Sequence, residues 1–174
     1  MARVVIRPPT ADDEDAFLAA MRASRSVHRP WLYMPETPDA YKTYIARVDD
    51  PRAAPFLACR KEDGAIVGFL NLSEIVRGAF KNAFLGYGGV AGYAGQGYMR
   101  EAMDLLLREA FSELGLHRLE ANIQPGNERS IALAKRAGFE LEGFSPRYLK
   151  IGGRWRDHER YAIRAETWRA HRSG

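Results

Sequence analysis

The part of the chain best suited to chemistry is a glycine-rich turn near its middle. Six of the sixteen glycines lie between residues 86 and 97, and a helical pattern follows over residues 100–114. Glycine adopts backbone angles that are closed to other residues, and it has no Cβ to keep a ligand away. The N–H groups at a helix N-terminus bind anions because the helix dipole is positive there. We therefore predict an anion site, of a kind suited to phosphate, around Gly95 and Gly97.

A second polar pair, Asn127 and Ser130, has the spacing N-x-x-S at the start of another predicted helix. Asparagine at such a place is a common N-cap, because its side chain accepts a hydrogen bond from the first turn. The residue types alone therefore predict a helix start, and a ligand contact is compatible with it.

The elements that must hold these residues follow from the spacing of apolar side chains. The predicted strands cover residues 3–8, 56–60, 65–76, 84–90, 118–123, 139–151 and 155–163, and the helices cover residues 10–24, 37–48, 100–114 and 128–137. The glycine-rich turn thus lies between the fourth strand and the third helix. This order predicts an α/β fold with a sheet of mixed direction.

The composition predicts one ordinary globular domain over residues 1–174, with 46% hydrophobic and 28% charged residues. The single Cys59 excludes an internal disulfide framework and suits a reducing compartment. No run reaches 18 apolar residues, and the first residues lack the apolar core of a leader. We therefore expect a cytoplasmic protein that does not enter the membrane.

The charge distribution argues against a nucleic-acid partner. The net charge is only +4, no block of like charges stands out, and no common RNA- or DNA-binding pattern is present. The four histidines lack metal-ligand spacing, so no metal is expected. The mildly basic tail, residues 164–174, is expected to be a solvated end.

Four separated stretches give the chain a resemblance to a known superfamily. They are NLSEIVRGAF (71–80), LGYGGVAGYAGQGYMREA (85–102), NIQPGNERSIALAKRAGFELEG (122–143) and YLKIGGRWRDH (148–158). With the element order, they resemble the GNAT acetyltransferases, and within them the RimJ/RimL-type ribosomal-protein N-acetyltransferases, the RimJ branch most. The resemblance implies a mixed, mostly antiparallel sheet of about seven strands, splayed in the middle and flanked by about four helices.

The resemblance also implies a reaction. An acetyl group would pass from acetyl-CoA to a primary amine by direct attack in a ternary complex, with CoA as product. The N-terminal α-amine of a ribosomal protein is the first acceptor to expect. At pH 7 an α-amine is neutral roughly a tenth of the time, whereas a lysine amine costs roughly 3.4 kcal/mol more to deprotonate. A modest base therefore suffices.

Two alternatives remain open beside a protein acceptor. One is a small-molecule amine such as a polyamine, an antibiotic or an amino acid, and the other is a module that binds acyl-CoA without turnover. Monomer and homodimer are both compatible with the sequence.

The turn Ala94–Met99 resembles the superfamily's pyrophosphate loop, Q/R-x-x-G-x-G/A, with Ala94 and Met99 departing from it at the two ends. Gln96 or Arg100 is expected to replace the lost polar side chain at position 94. The resemblance implies contacts to acetyl-CoA from the following residues: Val90, Gly95, Gln96, Gly97, Tyr98, Met99, Arg100, Asn122, Asn127 and Ser130.

Three residues are candidates for catalysis. The resemblance places Ser130 near the sulfur, where a hydroxyl can stabilise the leaving thiolate. Glu74, on the long third strand, is a candidate base, with an exposed strand carboxylate as the alternative. Tyr148 is a candidate acid, with a core or rim aromatic as the alternative. The carboxylate that the superfamily often has before the Gly-Tyr pair is replaced here by Phe84-Leu85.

The acceptor side is indicated by aromatic residues. Trp31, Tyr33 and Met34, on the proline-rich segment 27–38, are candidates for its wall. The motif WRDH, residues 155–158, either shapes the mouth of this side or only closes the last hairpin.

Overall fold

A seven-stranded sheet in the order β1-β2-β3-β4-β5-β7-β6 forms the centre of the protein, in a computed structural model that describes residues 1–174. The strands are β1 (Val4–Arg7), β2 (Ala54–Arg60), β3 (Ile66–Val76), β4 (Asn82–Gly89), β5 (Arg118–Ile123), β6 (Glu140–Ile151) and β7 (Arg154–Arg164). The helices are α1 (Glu14–Ala23), α2 (Arg25–His28), α3 (Pro38–Ile45), α4 (Tyr98–Arg108), α5 (Glu128–Arg136) and α6 (Ala165–Ser173). None of them combines the length and apolar character needed to cross a bilayer.

The sheet opens between its central strands. β4 and β5 are the one parallel pair, because α4 crosses over between them, and they pair only from Asn82↔Arg118 to Phe84↔Glu120. Beyond Phe84, β4 pairs with β3 alone. The predicted sheet, seven-stranded, mostly antiparallel and splayed in the middle, is confirmed, and the gap lies directly before the glycine-rich turn.

Helices cover both faces of the sheet. One core packs α4 against the strands, with Leu106, Leu119 and Tyr161 almost fully buried. The other packs α1 and α3 on β2 and β3, through Phe17 and Tyr41. Burying these side chains stabilises each face by about 1.5–3 kcal/mol per large residue.

The C-terminal tail differs from the prediction of a solvated end. Residues Ala165–Ser173 form α6, whose Trp168 is 9% exposed and lies 5.5 Å from the ring of Phe111. Ala165 and Trp168, three positions apart, form the apolar side of α6. The helix count rises from the expected four to six, since α2 also forms a single turn at the start of the proline-rich segment.

Candidate active site

The turn before α4 has a run of main-chain donors without partners. Gly95 and Gly97 take the left-handed φ values of +75° and +83°, which other residues adopt only with strain. The N–H groups of residues 95–100 donate to no acceptor in the protein. Six consecutive free donors at the start of an eleven-residue helix match what a phosphate group requires.

Met99 anchors this turn to the sheet. A Cβ on Gly68 would lie 2.1 Å from the Met99 sulfur, and one on Gly89 would lie 3.3 Å from its Cγ. Glycines in β3 and β4 therefore leave the space that the methionine side chain fills. The departure from a small residue at position 99 is accommodated below the turn and leaves its N–H groups free.

Arg3, at the start of the chain, holds the turn from the other side. Its Nη2 donates to the Gln96 carbonyl oxygen at 2.8 Å, and its Nε and main-chain N–H donate to the Glu101 carboxylate at 2.6 and 2.7 Å. The guanidinium lies 4.5 Å from the ring centre of Tyr98. A cation next to the turn thus comes from Arg3, directly before β1, besides the exposed Arg100 expected there. It was missed because nothing in the sequence near the turn indicates a residue so distant.

A cavity of about 710 Å³ extends from this turn, a volume within the range of small-ligand sites. It is bounded by the end of β4, the 94–99 turn, α5 and the segment 26–32. Of the predicted cofactor residues, the cavity is lined by Val90, Gly95, Met99, Asn127 and Ser130.

Asn127 and Ser130 both present free side chains at the cavity. Asn127 precedes α5, but its side chain makes no capping hydrogen bond. The Ser130 carbonyl accepts from the Tyr87 hydroxyl at 2.6 Å, which ties α5 to β4, while the Ser130 hydroxyl has no partner. The remaining predicted contact on β5, Asn122, is not among the lining residues, and its Oδ1 is buried without a partner.

Glu74 is not brought to this cavity. Its carboxylate is 56% exposed and pairs with Arg52. A bulge between Ser73 and Val76, with Glu74 at a φ of 48°, interrupts the ladder at the far end of β4. That end is roughly 16 Å from Gly89 at about 3.3 Å per residue. The carboxylate predicted as a base on β3 therefore lies at the end of the strand away from Gly89 and outside the cavity lining.

Tyr148 also lies outside the cavity lining. Its ring meets the buried His158 edge-on, with centroids 6.2 Å apart. Asp157 of the WRDH motif accepts the Arg147 N–H at 2.8 Å and fixes the bulge that carries Tyr148, while Trp155 is exposed. The motif thus organises the last hairpin.

The N-terminal segment closes one side of the cavity. A Cβ on Gly126 would lie 2.9 Å from the Trp31 ring, and one on Gly152 would lie 2.5 Å from the Tyr33 ring. Trp31 lines the cavity, as predicted for an acceptor wall, whereas Met34 packs against the second core.

His28, on the same segment, is a lining residue that the sequence did not single out. It is 5% exposed, its Nε2 lies 2.7 Å from the Gly89 carbonyl oxygen, and burial lowers its pKa below the usual 6.5. The imidazole is therefore neutral at pH 7. A lone histidine without metal spacing gives no sequence signal, because only the fold brings it to β4.

Known proteins share this architecture and its motifs. A family model described as "Acetyltransferase (GNAT) domain" matches residues 3–140. The chain is 38% identical over 120 residues to "Probable N-acetyltransferase YjcK" of Bacillus subtilis, covering 69% of this chain and 66% of the relative. It is 39% identical over 107 residues to the "[Ribosomal protein uS5]-alanine N-acetyltransferase" of Escherichia coli, covering 62% and 55%.

A solved structure extends the match to most of the fold. Mycobacterium smegmatis RimJ in complex with CoA-disulfide superposes with a TM-score of 0.86 at 30% identity, covering 94% of this chain and 82% of that one. The two curated relatives are matched over only 66% and 55% of their own length. The chain belongs to the GNAT family of N-acetyltransferases, and its relatives include the RimJ-type proteins that its motifs resemble.

Proposed function

We propose that this protein transfers the acetyl group of acetyl-CoA to the N-terminal α-amine of a protein, with a ribosomal protein as the acceptor. The observation that carries the first half is the run of free N–H groups over residues 95–100, opening onto the cavity. The name of the E. coli relative supports the second half.

The pyrophosphate of acetyl-CoA binds at the 95–100 donors, and the cations Arg3 and Arg100 add to the field there. The pantetheine arm runs along the part of β4 that does not pair with β5, and past Asn127. The amine nitrogen attacks the thioester carbon, the C–N bond forms and the C–S bond breaks. The Ser130 hydroxyl donates to the sulfur as negative charge develops on it, which stabilises the transition state more than the ground state.

The charges at the cavity favour a singly charged acceptor over a polyamine. The charged lining residues are two arginines, Arg129 and Arg136, and one carboxylate, Glu128. A polyamine carries several positive charges and would meet a net positive lining. An α-amine has to lose only one proton and needs no row of carboxylates.

The test is thiol release from acetyl-CoA with a panel of peptides that carry the N-terminal sequences of ribosomal proteins. The same peptides with blocked N-termini, spermidine and an aminoglycoside serve as comparisons. We expect release with free N-termini and none with blocked ones. Release only with spermidine or the aminoglycoside would contradict the acceptor, and binding of acetyl-CoA without release from any acceptor would contradict the enzyme.

A further inference from the structure

We propose that His28 is a catalytic residue of this reaction, which accepts the proton of the attacking amine on its Nδ1. The inference rests on the proposed function. It concerns a group that neither the motifs nor the resemblance had assigned.

The hydrogen bond to β4 selects the tautomer of His28. A carbonyl oxygen only accepts, so at 2.7 Å from the Gly89 oxygen Nε2 must carry the hydrogen and donate it. In a neutral ring the other nitrogen, Nδ1, is then left with a free lone pair. The bond thus leaves the basic nitrogen of His28 free.

The ring is held in place by two strands. It meets Phe69 of β3 edge-on, with centroids 5.6 Å apart. A Cβ on Gly88 would lie 2.6 Å from Phe69 Cζ and 3.5 Å from His28 Nε2, so the glycine leaves room for both rings. A fixed imidazole loses little entropy when it accepts a proton from a bound amine.

Nδ1 is accessible to a ligand or water. It has no hydrogen-bond partner in the protein, yet only Asn122 Oδ1 and Arg156 Nε are both buried and unpartnered. His28 lines the cavity next to the part of β4 that does not pair with β5. The free nitrogen is thus accessible in a residue that lines the space in which the thioester is expected.

The other ionisable groups of the cavity are poorer bases. Burial raises the pKa of Tyr87 to about 12, and its hydroxyl already donates to Ser130. Arg129 and Arg136 carry guanidinium groups, which are donors only and have no acceptor nitrogen. Glu128 is on the exposed first turn of α5. His28 is the one buried side chain of this lining with a basic nitrogen that has no partner, and burial lowers its pKa so that the ring is neutral at pH 7.

The step balances without a further reactant. The amine nitrogen forms the C–N bond and gives its proton to Nδ1, while the C–S bond breaks and sulfur leaves as the CoA thiolate. His28 then returns the proton to water.

The variant His28→Gln separates this role from structural support. The glutamine amide can still donate to the Gly89 oxygen, but it has no basic nitrogen. We expect kcat with a peptide acceptor to fall by about 100-fold or more, the lower range for loss of a general base, with the Kd for acetyl-CoA within twofold. His158→Gln is the matched control, because His158 is equally buried but lies outside the cavity lining, and it should keep kcat.

Full activity of His28→Gln would overturn the proposal while leaving the proposed function intact. A wild-type protein without turnover on any acceptor would instead overturn both. Nitrogen NMR of the wild-type imidazole gives a readout that does not depend on activity. We expect a protonated Nε2 and a bare Nδ1, and the opposite tautomer would contradict the assignment.

The pH profile adds a further test. The charged group near the ring is Glu36, itself paired with Arg25 and Arg29, while Phe69, Gly88 and Gly89 bring no charge. Below the His28 pKa, kcat/KM of the wild type should fall with two protons, one on the amine and one on His28. In His28→Gln, kcat/KM should fall with only one proton, that of the amine. A two-proton fall in both proteins would contradict the proposal.

Discussion

At the scale of single residues, the site depends on side chains that the fold leaves without protein partners. Ser130, Asn127 and His28 line the cavity, and the Ser130 hydroxyl, the Asn127 side chain and Nδ1 of His28 have no hydrogen-bond partner in the protein. Asn127 and Ser130 are only half-buried, so water can hydrate these groups in the free protein and a ligand can replace that water. The roles that we propose for them differ, because Ser130 would donate to the sulfur and His28 would accept the proton of the amine.

Ser130→Ala removes the hydroxyl assigned to the sulfur. We expect kcat to fall about tenfold or more with the KM for acetyl-CoA within twofold, because the hydrogen bond strengthens only as the C–S bond breaks. Steady-state thiol release measures both constants. Ser73→Ala, a half-buried serine on β3 outside the cavity lining, should behave as wild type. An unchanged rate in Ser130→Ala would leave Ser130 as a helix residue only.

At the scale of elements, the turn between β4 and α4 is fixed on two sides. Met99 inserts beneath it between glycines of β3 and β4, and Arg3, directly before β1, donates a hydrogen bond to it. Such anchors keep the free N–H groups in position before the ligand arrives, which lowers the entropic cost of binding.

Gly95→Glu should place a negative side chain among the free N–H groups of residues 95–100. We expect the Kd for CoA, measured by calorimetry, to rise by about 100-fold or more, because the carboxylate competes with phosphate for the same donors. Gly64→Glu is a close control, since Gly64 has the same φ of +75° and equally open space in the β2–β3 turn. Both variants share the backbone strain, so an equal loss of affinity for CoA in the two would contradict phosphate binding at the N–H groups of residues 95–100.

Arg3→Ala should remove the hydrogen bond that links the residues before β1 to the 94–99 turn. We expect the KM for acetyl-CoA to rise about fivefold with kcat unchanged, because the bond to the Gln96 carbonyl and a nearby cation are lost. Arg52→Ala, which breaks the exposed pair with Glu74, should leave KM unchanged. Neither change should cost more than about 1 kcal/mol of stability, since the Arg3 and Arg52 side chains are half exposed or more. Equal KM values in the two variants would exclude a positioning role for Arg3.

The elements could be predicted from the sequence because their signals are local. The anion site is indicated by Gly95 and Gly97 directly before a helical pattern. The sheet is indicated by the alternation of apolar residues along the strands and by the Gly152-Gly153 turn. Arg3 and His28 were missed because their roles depend on contacts across 61 to 98 residues of chain, and α6 because it depends on one buried tryptophan. Glu74 was expected at the site, but it lies outside the cavity. A strand pattern in the sequence does not show which end of the strand lies next to the gap between β4 and β5.

At the scale of the whole molecule, the gap between β4 and β5 brings together parts that are far apart in the chain. The 26–32 segment, the 94–99 turn and α5 meet around the cavity. The surrounding sheet is kept rigid by the cores on its two faces, and α6 completes one of them through Trp168.

Trp168→Ala should therefore destabilise the protein without touching the site. We expect a loss of about 3 kcal/mol in the free energy of unfolding, from the buried ring and the cavity it leaves. Chemical denaturation measures this value. Trp155→Ala is the control, since that side chain is 61% exposed and should change stability by less than about 0.5 kcal/mol. A similar small effect for both would show that α6 does not cover the core.

The central claim is that an α-amine receives the acetyl group of acetyl-CoA. The most direct measurement uses a ribosomal-protein peptide that carries both a free N-terminus and an internal lysine, incubated with acetyl-CoA and the protein and then sequenced by tandem mass spectrometry. We predict one acetyl group, on the N-terminal nitrogen. Acetyl on the lysine, or a peptide left unmodified by a protein that releases thiol with small amines, would contradict the account.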